Sequence, residues 1–359
     1  MRLILAVALV ALLAGCQPAA QQPAATTSGA RPAVTAMATP SLPANVLSLN
    51  CRLPVLTVKQ TPYSYSGGFI TFPRGTYLED PAGIISGVGD GEFATQARPV
   101  LRAYPDGDPP FYDLAMKRWI PQWSAQTSPD GRTYAYVTPS LGGTQSTVNV
   151  VTVATGAERV LNISPGFAVK DFDGRNVYLT QIQAWQPVKL EQGVWRMDSA
   201  TGSFVQLSQQ GSVLAVRAPH LWVGRVDPAD PSPPKNSQGS QLFDSIVQVN
   251  LTTGTETVWT YRPGEAVSLI GLDRDGHPVV GVTHGPDFSG SPSTVLLLGA
   301  PGDSGTVITN VAVPLSTMQA DVGRIWFGST QGIYLWTPAD GLHKAFPYAQ
   351  SMMPAGYCL

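Results

Sequence analysis

The sequence predicts an all-β fold, a six-bladed β-propeller of four-stranded antiparallel blades, and three observations lead there. Between Trp123 and Leu161 apolar residues alternate with polar ones in short runs, Tyr134 to Val137 and Val148 to Val153, rich in Val, Tyr and Thr. Period-two alternation of such residues marks strands with one packed and one opposite face. Turn chemistry separates the runs, at Pro129-Asp130-Gly131 and again at Thr155-Gly156. The unit then recurs, with tight turns near residues 116, 155, 201, 253, 302 and 340. A spacing of about 40 to 50 residues is a blade period. A single small sheet cannot bury both faces, so neighbours of the same kind must stack against it.

Taken in order, the chain opens with Arg2, an apolar run from Leu3 to Ala14, and Gly15-Cys16. This is the layout of an export signal. The run is too short to span a bilayer, for which about 20 apolar residues are needed. Leu13-Ala14-Gly15-Cys16 resembles the lipobox of bacterial lipoproteins. That resemblance implies that residues 1–15 are a signal peptide and that Cys16 carries lipid. Residues 16–43 are Ala, Pro, Thr, Gln and Ser with almost nothing to bury, which predicts a flexible tether. Residues 44–359 form the propeller domain. The expected address is the cell envelope, outside the cytoplasm, with the membrane as partner through the lipid on Cys16.

Within the propeller domain the strand-turn-strand unit is clearest at Val194–Leu207 and Ile246–Trp259, and weaker at Thr294–Ile308, Ile333–Phe346 and Phe111–Ile120. A partner pair precedes most copies: Phe167–Leu179 turning at Asp173-Gly174, Val213–Val223 near Pro219, Leu269–Val282 at Asp275-Gly276, and Thr317–Gly328 at Gly323. The earliest pair is Leu53–Val58 with Gly68–Phe72. Composition agrees, with Gly 36 and Pro 32 supplying turns and only 13% charged residues, too few for long solvated helices. Ser128-Pro129-Asp130-Gly131-Arg132, an apolar strand and the later Ala154-Thr155-Gly156 turn together resemble the repeat of TolB-type β-propellers. The resemblance covers most of the domain and implies its fold; propellers of this class host binding proteins, scaffolds and enzymes.

Loop lengths point to a functional face. In a blade, the first-to-second and third-to-fourth turns share one face and the second-to-third connections lie on the other. Long second-to-third connections are expected at Pro73–Pro110, Pro139–Thr147, Gln181–Gly193, Val226–Ser245 and Thr283–Ser293, with the last blade lacking one. Long connections commonly bind something. The candidate ligand contacts are Trp185, Asp227, Asp230, Phe243, His284, Asp287 and Phe288, with Tyr77 and Tyr104 from the first insertion.

The net charge of −2 offers no basic stripe, which argues against a phosphate-held nucleic-acid partner. Gly302-Asp303-Ser304-Gly305 falls in an expected outer turn without a matching histidine motif, and no serine-elbow, zinc-helix or phosphate-loop motif occurs. No catalytic residue, metal or cofactor is therefore expected. Asp130, Asp173 and Asp275 read as turn formers, and Trp195, Trp222, Trp326 and Trp336 as packing between blades. With Cys16 lipidated, Cys51 and Cys358 remain, at positions where a closed ring brings its ends together, and a disulfide between them is expected. The expected function is a tethered binding or scaffold module for a peptide, glycan or envelope protein. The alternative is an extracytoplasmic hydrolase, lyase or cyclotransferase with a site assembled from several blades.

Overall fold

The computed structural model describes residues 49–60, 63–88, 92–95, 102–103, 109–139, 144–183, 190–230, 232–236, 239–284, 292–310, 313–348 and 350–359. The signal, Cys16 and the tether lie outside them, as do Trp185, Asp287, Phe288 and Tyr104.

The alternating runs fold as strands paired in chain order. β1 (Arg52–Gln60), β2 (Tyr63–Thr71) and β3 (Thr76–Val88) form an antiparallel sheet that β4 (Glu92–Thr95) and β5 (Arg102–Ala103) extend. The short strands β6 (Phe111–Asp113) and β7 (Arg118–Ile120) pair with each other. A 3-10 turn at Ser124–Gln126 leads to a sheet of β8 (Thr133–Thr138), β9 (Ser146–Thr152) and β10 (Glu158–Ile163). Three four-stranded sheets follow: β11 (Phe167–Phe172), β12 (Asn176–Gln183), β13 (Leu190–Asp198) and β14 (Phe204–Gly211); β15 (Val213–Arg217), β16 (His220–Arg225), β17 (Ser245–Asn250) and β18 (Glu256–Tyr261); β19 (Ala266–Leu272), β20 (Pro278–Thr283), β21 (Thr294–Leu297) and β22 (Thr306–Thr309). β23 (Leu315–Asp321), β24 (Arg324–Ser329), β25 (Gly332–Thr337) and β26 (Gly341–Pro347) make the last such group, and β27 (Met352–Pro354) ends the series.

The buried side chains show how these sheets stack. On β12, Val177 and Leu179 pack with Ala135, Val137 and Val148 of the preceding sheet, whereas Tyr178 packs with Val213, Val216 and Leu221 of the following one. Each strand thus spends its two faces on two neighbours, as period two requires. The same sharing links Trp222 and Ile246 to Val267 and Val280, and Val279 and Val295 to Met318 and Phe327. Trp326, Ile333 and Leu335 of the last sheet then pack on Leu53, Val55, Ile70 and Phe72 of the first. Successive sheets that end against the first sheet form a closed β-propeller.

Closure is also covalent and hydrogen-bonded. β27 pairs antiparallel with β1, setting Met353 opposite Leu56, and its single bridge from Met352 to Ser329 joins the last sheet to the first. The chain end continues the pairing, because Arg52 and Leu359 exchange backbone hydrogen bonds. The Cys51–Cys358 disulfide locks that junction across a sequence separation of 307, as expected from the sequence.

Several expectations are corrected. Phe111–Ile120 is not the outer pair of the first blade. It is a wedge: the Trp119 indole lies over Gly67 and Gly83 and donates from Nε1 to Asp80, 3.0 Å away, while Ile120 packs on Tyr134 and Val151. Pro73–Pro110 is not one long connection, since Pro73–Gly75 is a tight turn and β3 starts at Thr76. Tyr77 consequently sits in a strand and packs toward Tyr348, away from any insertion. The expected pair Leu53–Val58 and Gly68–Phe72 exists as β1 and β2, but it follows β27 in the sheet and does not begin it. In the Trp123–Leu161 unit the first strand shrinks to one bridge, Thr127 to Tyr134. Asp130 and Asp173 cap their turns, accepting from the backbone N–H groups of Arg132 and of Arg175 and Asn176. In the β19–β20 turn that role belongs to Asp273, which accepts from Asp275 and His277.

Candidate functional site

The turns from β11 to β12, β15 to β16, β19 to β20 and β23 to β24 are short, and so are those from β9 to β10, β13 to β14, β17 to β18 and β25 to β26, whereas β21 passes to β22 over residues 298–305. The connection from β16 to β17 runs over residues 226–244 and that from β20 to β21 over 284–293, both on the opposite face. These two insertions bring together much of what the sequence nominated.

Asp227 opens the first insertion. Its N–H donates to Asp244 Oδ2 at 2.8 Å, and its own carboxylate accepts from Ala229 N–H and from the Tyr261 hydroxyl at 2.5 Å. The pair is mutually perturbing: the hydrogen bond from Tyr261 holds the Asp227 carboxyl below the usual range, and the bond to Asp227 pushes Tyr261 up to about 12. Asp230 accepts from Ser232 N–H and, at 3.3 Å, from Gly264 N–H, tying the insertion to the link between β18 and β19. Beside Gly264, Glu265 Oε1 lies 2.7 Å from His284 Nδ1, so the second insertion is anchored to the same link. Asp227, Asp230, Tyr261, Glu265 and His284 therefore make one braced patch, with Tyr261 46% exposed. Asp244 beneath it is fully buried, and its Oδ1 has no partner among the described residues.

Phe243 packs on its own sheet. A Cβ at Gly224 would lie 2.3 Å from the Phe243 ring, so β16 carries glycine where the returning insertion lays an aromatic on the backbone. Gly281 plays the same part under Pro292 at the second insertion. Both glycines let a returning side chain, Phe243 or Pro292, lie close on the strand backbone.

Residues that sequence reasoning missed fall in two places. On β11, Lys170 Nζ lies 2.7 Å from Glu191 Oε2, which also accepts from the buried Thr180 hydroxyl. Next to it Asp171 accepts from Ala218 N–H of the neighbouring sheet at 3.0 Å, and burial pushes its carboxyl up to about 6. A β-bulge between Val169 and Asp171 breaks the period here, which is why pattern reading passed over both. The second place is the rim of the last sheet around Gln331, Lys344 and Tyr348. Among the described residues, Asp273, Asp275 and His277 offer ligand atoms within 4.8 Å of one another, but on the short-turn face, with the Asp273 oxygens already used to cap the turn.

The fold and this patch define the chain as a β-propeller with a braced loop face. No protein-family profile and no curated protein sequence matches it. Among solved structures it is similar to an oligogalacturonate lyase in complex with manganese, at 12% identity over 79% of this chain and 73% of that one, TM-score 0.45. It is similar to the β-propeller domain of the Trilobed protease from Pyrococcus furiosus, at 12% identity over 79% and 77%, TM-score 0.42. An acylaminoacyl peptidase matches at 11% identity over 81% of this chain and 46% of its own, TM-score 0.46. The propeller assignment itself rests on the strand pairing and shared cores described above.

Proposed function

We propose that this protein is a lipid-anchored, extracytoplasmic six-bladed propeller of TolB type that binds an envelope protein or peptide through its loop-rich face. The observation carrying this reading is the patch over the β16–β17 and β20–β21 insertions. Its exposed Tyr261 is held by a carboxylate, and both loops are tied to one link by Asp230 and Glu265. Amphipathic aromatics held rigidly lose little freedom on binding, which favours recognition. Support for six comes from grouping β27 with β1–β3, and Thr127 with β8–β10, beside the four later sheets. The lipid anchor is supported by Leu13-Ala14-Gly15-Cys16 behind its short apolar run, and a few buried acyl chains hold a protein at a membrane surface.

The test places a photo-crosslinking residue at position 261 of the full chain in its host and, as control, at position 130 on the short-turn face. A discrete adduct from 261 and none from 130 is expected. Absence of an adduct at 261, or identical adducts from both, removes the reading. Cys16→Ser should move the protein out of the membrane fraction, and retention there would sink the anchor.

One observation favours an enzyme instead. The His284–Glu265 contact engages Nδ1 and leaves Nε2 for proton transfer. Turnover of ester, peptide or glycoside substrates that His284→Ala abolishes, with thermal unfolding unchanged, would shift the reading to catalysis.

A further inference from the structure

Beyond that patch, the geometry points to a second binding site on the same face, for an acidic saccharide, where the last sheet lacks an insertion. β24 passes to β25 through Thr330 and Gln331 alone, where the β16–β17 connection has residues 226–244. The result is a shallow, solvent-open depression lined by Thr330, Gln331, Lys344, Pro347 and Tyr348.

The polar groups in this pocket are biased toward donation. Gln331 Oε1 accepts from the buried Tyr334 hydroxyl at 3.1 Å and from Lys344 Nζ at 3.5 Å. With its oxygen so engaged, the side-chain amide turns its nitrogen the other way, and those two N–H groups meet no acceptor among the described residues. Lys344 rests its ammonium over the Tyr334 ring, 5.4 Å from the centroid, and forms no ion pair with a described carboxylate. An ammonium and an amide N–H pair side by side call for an acceptor-rich, negatively charged group, and a carboxylate fits both.

The remaining wall is apolar and preset. The Tyr348 ring is stacked at 6.2 Å on Phe346 and set at 6.1 Å from Tyr77, and its backbone N–H donates to Gln331 O at 3.2 Å. A ring packed against two others on a hydrogen-bonded backbone needs little ordering when a ligand arrives. Tyr348 and Pro347 together offer a flat surface to the C–H face of a pyranose, while Lys344 and Gln331 meet a carboxylate at its edge. A peptide terminus fits less well, because it needs a hole for its last side chain and a nest of backbone N–H groups, whereas three of the five lining residues are polar side chains.

The experiment titrates the full chain with D-glucuronate, D-glucose and N-acetylalanine, read by saturation-transfer NMR. Charge-assisted hydrogen bonds contribute about 1.5 to 3 kcal/mol, so glucuronate should bind at least about tenfold tighter than glucose. Lys344→Gln should erase that preference and Lys344→Arg keep it. Tyr348→Ala should weaken both sugars, with Tyr348→Phe retaining them if the alanine variant fails to fold. Lys235→Gln, in the β16–β17 insertion, should change nothing. Glucuronate binding unchanged by Lys344→Gln overturns the site, as does no binding of either sugar. Tighter binding of N-acetylalanine than of glucuronate overturns the saccharide in favour of a peptide terminus. Crosslinking at position 261 is independent of all three ligands, so either site can fail alone.

Discussion

Replacing both Cys51 and Cys358 with serine tests the closure of the ring directly. The bridge joins residues separated by 307 positions. In the chain-entropy account it removes about 2.1 + 1.5R ln 307, or roughly 19 cal/mol/K, from the unfolded ensemble, which is about 5.7 kcal/mol at 25 °C. The native junction does not vanish with the sulfurs, because β27 stays paired to β1 and Leu359 to Arg52. The effect should therefore reside in the unfolded chain. Guanidinium denaturation followed by tryptophan fluorescence should show the midpoint falling by an amount worth several kcal/mol. The slope should rise, because an unbridged chain exposes more surface when it unfolds. A loss below about 1 kcal/mol with an unchanged slope would refute the claim that the bridge closes the largest loop in the domain.

Three further outcomes follow from particular contacts. The Asp171 carboxyl is raised from 3.8 to about 6, chiefly by burial. A carboxyl whose folded value is raised stabilises fully below its unfolded value and loses that contribution as pH climbs through the folded one, here about 3 kcal/mol in total. Asp171→Asn keeps an acceptor for Ala218 N–H without the charge, so its stability advantage over wild type should grow by about 2 kcal/mol between pH 4.5 and 7.5 in parallel denaturation curves; a pH-independent difference would contradict the burial. Gly224→Ala should cost about 1 to 3 kcal/mol by driving a methyl into Phe243, and Phe243→Ala should cost less in that background than in wild type; additive losses would mean the two do not touch. Trp119→Phe removes the Nε1 bond to Asp80 and part of the wedge, and a thermal scan should register about 1 to 3 kcal/mol; no change would leave the hairpin without its claimed task.

The repeat was legible because its signals are local. Asp130 and Asp173 cap their turns through backbone N–H groups two or three residues away, and the alternation in β12 divides Val177 and Leu179 from Tyr178 without reference to distant chain. The first sheet was legible only in part: Leu53–Val58 and Gly68–Phe72 pair as read, but Met352-Met353-Pro354 carries no alternation and finds its partner at Val55–Thr57, far away in sequence. Phe111–Ile120 misled for the matching reason: a short alternating hairpin has the same pattern whether it extends a sheet or wedges between two. The candidate site divides along the same line. Loop length singled out the connections that carry Asp227, Asp230 and His284, but length says nothing about whether a side chain faces outward or, like Phe243, lies on a glycine of its own sheet. The expectation also attended to insertions alone. Where a connection is as short as Thr330-Gln331, the side chains of the strand ends themselves, Lys344, Pro347 and Tyr348, line the surface. Departures from the repeat in either direction, added residues or omitted ones, are thus where a propeller sequence carries its functional information, because the repeat itself is accounted for by the packing of one sheet on the next.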